Sequence, residues 1–112
     1  MDFTFSEEQE AVRQSAQAVF SGMVTPDRVK ETEQTQEKFD RALWAELAKA
    51  DLLGLVLPEQ YGFGGYGMVE LSLLLEAQGA VVAPVPLWAT LVLGALPVAR
   101  FGSQEQASRW LP

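Results

Sequence analysis

The 112-residue sequence contains no cysteine and no histidine. The lack of cysteine excludes disulfides, thiol nucleophiles and thiolate metal sites, and the lack of histidine excludes imidazole acid–base chemistry. Basic residues are also few, since eight Lys and Arg stand against fifteen Asp and Glu, for a net charge of -7. Phosphate binding needs a basic stripe, so we expect no nucleic-acid partner. No residues in the sequence form a self-sufficient catalytic, cofactor or metal site, and none is predicted.

Charge of either sign is missing from residues 77–99, AQGAVVAPVPLWATLVLGALPVA. As a straight helix this segment would span roughly 35 Å, enough to cross a bilayer. Its glycines and prolines interrupt such a helix, and no basic cluster flanks it to orient insertion. We therefore predict that residues 77–99 are buried by other parts of a protein, and a membrane-spanning helix is the alternative. The opening MDFTFSEEQE lacks the basic and apolar regions of a secretory signal, so we expect a cytoplasmic protein.

Apolar spacing predicts helices along most of the chain. Ser6 and Gln9 form a capping box at the start of the first helix, and Ser103 and Gln106 form another near the end. Residues 27–38 lack an apolar stripe, which indicates either a solvated connection or a frayed helix. The first apolar stripe consists of Val12, Ala16, Val19, Phe20 and Met23.

The remaining helices are predicted from their glycines and prolines. Gly54 and Gly79 are predicted to close the second and third helices in the left-handed conformation. A fourth helix is predicted to start near Pro86 and to be kinked or ended by Pro97. No run shows the period-2 alternation of a strand. The sequence therefore predicts one all-α domain over residues 1–112, a small up-down bundle of about five or six helices.

The stretch PEQYGFGGYG contains a literal G-x-G-x-x-G at Gly62, Gly64 and Gly67. In a dinucleotide-binding loop the first glycine ends a strand, and a second strand with an acidic residue follows the helix. Here four residues, PEQY, separate the glycines from the apolar run LLGLVL, and the segment after Gly79 has no acid. The pattern favours a close-packed connection between two helices over a pyrophosphate site.

Several segments together resemble the acyl-CoA dehydrogenase family, in order and at family spacing. The resemblance covers nearly the whole chain and is carried by MDFTFSEEQEAVRQSAQAVF, FDRALWAELAKADLLGLVLPEQYGFGGYG, VELSLLLEAQGA and LVLGALPVARFGSQEQASRWLP. It implies that residues 1–112 correspond to the N-terminal helical domain of a flavoenzyme that desaturates acyl-CoA thioesters at the α,β bond. The related oxidases share this domain.

The resemblance also implies which parts of such an enzyme lie outside this sequence. FAD is held between a middle β-domain and a C-terminal helical domain, and the catalytic carboxylate comes from the latter. The chain alone is therefore expected to be inactive and to act with the remaining domains or a homologous subunit in a homo- or hetero-oligomer. An alternative is a stand-alone or half-site interaction module that pairs with another dehydrogenase-like subunit.

By resemblance, the helical domain contributes one wall of the acyl-chain pocket. This wall is the fourth helix, and its expected residues are Pro86, Leu87, Ala89, Thr90 and Leu93. Apolar walls suit an alkyl or steroid-like acyl group. The sequence departs from the family pattern at Glu76-Ala77, where many members have two glutamates, and in the spacing of the glycines after Tyr61.

Overall fold

The computed structural model describes residues 1–111 and contains no strand within them. The all-α prediction is confirmed. In chain order the elements are α1 (Glu7–Met23), α2 (Pro26–Gln34), α3 (Arg41–Lys49), a 3-10 turn (Glu59–Tyr61), α4 (Met68–Val81), a π-helix (Trp88–Ala95), α5 (Leu96–Phe101) and α6 (Gln104–Trp110).

The start of each of the first three helices is fixed by a side-chain oxygen. The predicted capping box of α1 is confirmed, with Ser6 and Gln9 bonded reciprocally. Thr25 accepts from the Arg28 amide and places Pro26 in the first turn of α2, so residues 26–34 form a helix rather than a solvated connection. Asp40 caps α3 in the same way.

The predicted ends of α3 and α4 were wrong, because neither Gly54 nor Gly79 closes its helix. α3 ends in a Schellman motif in which Asp51 has φ +59° and the Leu52 amide donates to the Leu47 carbonyl at 3.0 Å. α4 ends in the same motif at Val82, φ +53°. In both cases the residue after the left-handed position, Leu52 or Ala83, is buried, so core packing sets the turn.

The uncharged segment folds against the rest of the chain. One of the two predicted alternatives was that Pro97 ends the fourth helix, and this was wrong. Pro97 lies in the first turn of α5, which continues directly from the π-helix. Among residues 1–111, no helix is long and apolar enough to cross a membrane.

The core forms where α1, α3 and α4 meet. α1 and α4 run in the same direction, because the Gln9 amide lies 3.5 Å from the Glu70 carboxylate near their first turns, and Ser21 and Ala80 share a groove near their last. The fully buried large side chains are Phe20, Leu43, Leu47, Leu71, Leu74, Leu87 and Leu91. α6 packs separately, through Ala107 and Leu111, onto Leu57.

Two glycines are expected to respond oppositely to alanine. A Cβ at Gly102 would lie 2.5 Å from the Val98 carbonyl oxygen, so Gly102→Ala must shift backbone and should lower the free energy of unfolding by about 1–3 kcal/mol. Gly79 lies within α4, and a Cβ there meets no atom within 4 Å. Gly79→Ala should therefore raise stability by about 0.5–1 kcal/mol. Urea denaturation of the two variants measures both effects. Changes of the same sign in the free energy of unfolding would contradict this prediction.

Candidate functional site

One side of the π-helix carries exposed side chains without charge. We call this set the uncharged helix face; its members are Trp88, Ala89, Thr90, Leu93 and Gly94. Trp88 is 56% exposed and Leu93 63% exposed, which is unusual for side chains of this size in a folded domain. Exposed apolar side chains grouped on one helix indicate a surface that binds a ligand or another protein surface.

The opposite side of the same helix is anchored in the core. Leu87 is fully buried and Leu91 is 1% exposed, and both pack within the main apolar cluster. Val92 and Leu96 pack against this cluster with part of their surface exposed. Because the two anchors are one turn apart, they fix which side chains point outward.

The loop before the helix is held by polar contacts from two other helices. The Gln78 side-chain amide donates to the carbonyls of Ala83 and Val85, at 3.2 and 2.6 Å. The Asp40 backbone amide donates to the Pro84 carbonyl at 3.0 Å. These bonds fix the position at which the chain enters the π-helix, so the uncharged helix face is placed by α3 and α4.

Asp40 is the one buried carboxylate among residues 1–111, and it joins three elements. Arg28 donates to its two oxygens from Nε at 2.6 Å and Nη2 at 3.0 Å, and the Leu43 amide donates to Oδ1 at 3.0 Å. The hydrogen bonds from Arg28 hold the pKa of Asp40 below its usual value, against the effect of burial. This cluster is structural, because its oxygens are already bonded.

A groove lies beside the uncharged helix face, between the π-helix and α5 on one side and the start of α4 on the other. Its volume is about 450 Å³. Arg100 is the single charged residue that lines it; the apolar lining includes Val56, Tyr66, Met68, Val92, Leu96 and Phe101. The groove can therefore bind apolar groups, and no carboxylate lines it.

The glycine-rich loop is a connection between α3 and α4, as predicted. Gly62 and Gly65 have φ of +87° and +67°, which reverse the chain after the 3-10 turn. The Gly65 amide then donates to the Leu57 carbonyl at 2.9 Å, and the Gly67 amide to the Glu70 carboxylate at 3.1 Å. Because these amides are occupied and a carboxylate covers the start of α4, the loop does not fit a pyrophosphate.

The sequence matches the family model for the acyl-CoA dehydrogenase N-terminal domain over residues 6–112. The chain belongs to this family. It is 34% identical over 110 residues to acyl-CoA dehydrogenase FadE27 of Mycobacterium tuberculosis, an alignment that covers 98% of this chain and 30% of the relative. The chain thus spans less than a third of the length of such relatives.

Two solved structures show the same helical domain. In the ChsE4-ChsE5 complex from Mycobacterium tuberculosis, the match is 34% identical with a TM-score of 0.91 and covers 98% of this chain and 30% of that one. In a variant of the Tcur3481-Tcur3483 steroid ACAD, it is 45% identical with a TM-score of 0.85 and covers 89% and 27%. Each of the two names joins two components.

The five expected pocket residues of this acyl-CoA dehydrogenase domain do not all lie on its surface. Pro86, Ala89, Thr90 and Leu93 are exposed, whereas Leu87 is fully buried and serves the domain core. Sequence reasoning did not place Trp88 and Gly94 on the outward side. For Gly94 a signal was available in its four-residue spacing from Pro86 and Thr90, but this spacing does not show whether the row faces inward or outward; Trp88 lies outside the row.

Proposed function

We propose that this chain supplies one wall of the acyl-chain pocket in an FAD-dependent acyl-CoA dehydrogenase. The exposed residues of the expected set, Pro86, Ala89, Thr90 and Leu93, line that wall, and Trp88 extends it. The observation that carries the proposal is an uncharged, exposed face on a rigidly anchored helix in a domain of this family. The chain's residues bind and orient the acyl group, and FAD, held by the other domains, supplies the oxidising power.

The side chains of this wall suit a bulky acyl group. Ala89 and Gly94 are small and leave room in front of the helix, while Trp88 and Leu93 offer apolar area. Removing such area from water contributes roughly 25 cal/mol per Å² to binding. The relative at 45% identity carries the name of a steroid ACAD, so we propose a steroid-derived or similarly bulky acyl-CoA as the substrate of this cytoplasmic enzyme.

Narrowing the wall tests the proposal. Ala89→Trp in the complete gene product should lower kcat/KM for bulky acyl-CoA thioesters by about tenfold to a hundredfold, because the added ring occupies the space of the acyl group. Activity with a short unbranched acyl-CoA should change much less. The measurement is acyl-CoA-dependent reduction of an artificial electron acceptor.

Ala18→Trp provides the matched control, because Ala18 is exposed on α1 and lies outside the uncharged helix face and the groove. It should leave both activities unchanged. Equal loss for short and bulky substrates in Ala89→Trp would show that this helix does not face the acyl group.

A second candidate function is a subunit that completes the pocket of a homologous dehydrogenase chain. The observation that favours it is that one similar solved structure is a ChsE4-ChsE5 complex and another carries a name that joins two components, Tcur3481-Tcur3483. Assays of acyl-CoA-dependent reduction of an artificial electron acceptor with the complete gene product, alone and mixed with a homologous dehydrogenase chain, separate the two, and size-exclusion chromatography with light scattering shows whether the mixed chains assemble. Activity that appears only in the mixed sample supports the second candidate.

A further inference from the structure

The π-helix before α5 is unusually long. π-helical hydrogen bonding mostly occurs as single-turn bulges, often at functional sites, whereas here it covers the eight residues Trp88–Ala95. At its end the Leu96 amide donates to the carbonyl of Leu91, five residues earlier, and not to that of Val92. The helix returns to the α form only at Leu96.

Pro97 lies directly after this switch. In an α-helix the proline ring would clash with the carbonyl four residues earlier, that of Leu93, and proline has no amide to donate. A π turn holds roughly one more residue than an α turn, which moves that carbonyl away from the ring. The Val92 carbonyl then lacks the amide of either register, since Leu96 donates to Leu91 and position 97 has no N–H.

The register decides which side chains form the outward face. Leu87 and Leu91 point into the core, and in an α-helix the next inward positions would be 94 and 95. In the structure Gly94 is exposed, whereas Ala95 and Leu96 are both partly buried, Ala95 against the cluster of Leu57 and Leu96 against the main core. Gly94 has therefore left the inward row and Leu96 has joined it, as expected for a π-helix.

We propose that Pro97 is a positioning residue for the acyl-pocket wall: by withholding its amide, it holds Trp88–Ala95 in the π register and keeps Gly94 outward. This inference rests on the proposed function for its consequence in catalysis. The effect of Pro97 on the hydrogen-bond register of the helix does not depend on the proposed function. Pro97 acts through the helix and touches no reacting atom.

The structural part is tested by NMR scalar couplings across hydrogen bonds in the 112-residue chain. In the natural sequence the Leu96 amide should couple to the Leu91 carbonyl. In Pro97→Ala it should couple to the Val92 carbonyl, with the new amide at position 97 coupled to Leu93. Pro97→Ser restores the same amide and should give the same pairs, while Pro26→Ala, at the first turn of α2, should leave the Leu96–Leu91 pair in place. If Leu96 still pairs with Leu91 in both variants at position 97, packing of Leu96 sets the register and the inference is overturned.

The functional part is tested in the complete gene product by the ratio of kcat/KM for a bulky and a short unbranched acyl-CoA. Pro97→Ala should change this ratio by about tenfold, the discrimination that a small change in pocket shape gives. Pro26→Ala should not change it. A merely structural role would lower both values together. A changed register with an unchanged ratio overturns the positioning role, whereas a natural protein that oxidises no acyl-CoA overturns the proposed function.

Discussion

Leu87→Ala is expected to lower the free energy of unfolding by about 2–5 kcal/mol, whereas Leu93→Ala should change it by less than about 0.5 kcal/mol. Both leucines belong to the expected pocket wall and are six residues apart. Leu87 is fully buried among core side chains, so truncation leaves a cavity; Leu93 is 63% exposed and leaves none. Urea denaturation of the 112-residue chain measures the difference.

This pair separates a residue that builds the domain core from a residue of the proposed pocket wall. In the complete gene product, Leu93→Ala should weaken selectivity among acyl groups while the thermal midpoint stays unchanged. Comparable destabilisation by the two substitutions would mean that the π-helix is not oriented as described.

Asp40→Ala is expected to destabilise the chain by about 2–4 kcal/mol at neutral pH. The substitution removes the cap of α3, and it removes the buried partner of Arg28. The expected loss is smaller than for a fully buried pair because the Arg28 side chain is about a third exposed, so water replaces part of the lost interaction. Urea denaturation again gives the magnitude.

The pH dependence of this effect has a definite sign. The pKa of Asp40 is lower in the folded chain than in the unfolded one, chiefly because Arg28 donates hydrogen bonds to its carboxylate. The stabilisation is therefore fully present above the unfolded pKa, about 3.9, and is lost as the pH falls through the lower folded value. The difference between natural chain and variant should be constant near neutrality and shrink below about pH 4.

Glu37→Ala is the matched control for Asp40. Arg41 also donates to both oxygens of Glu37, each at 2.8 Å, but the two side chains are 72% and 53% exposed. A surface pair of this kind contributes roughly 0–1 kcal/mol. Equal losses for the two substitutions would show that burial and capping add nothing to the Asp40 contact.

Local chemistry determined much of this fold from the sequence alone. A capping box requires only Ser and Gln three residues apart, so the boxes that begin at Ser6 and Ser103 could be predicted without knowing any distant contact. The stripe of Val12, Ala16 and Phe20 likewise follows from helical periodicity, and all three side chains are buried. The four segments that resemble the acyl-CoA dehydrogenase family, taken in their order along the chain, likewise indicated the family without any knowledge of the structure.

Tertiary structure decided the helix ends and the outward face. Glycine preference placed the ends of α3 and α4 at Gly54 and Gly79, but burial of Leu52 and Ala83 moved them to Asp51 and Val82. The free energy gained by burying a side chain can exceed the free-energy cost of a residue in the left-handed conformation. Local sequence patterns do not show which side chains will be buried. For the same reason the sequence specified the uncharged segment, but only packing against the core separated buried Leu87 from exposed Leu93.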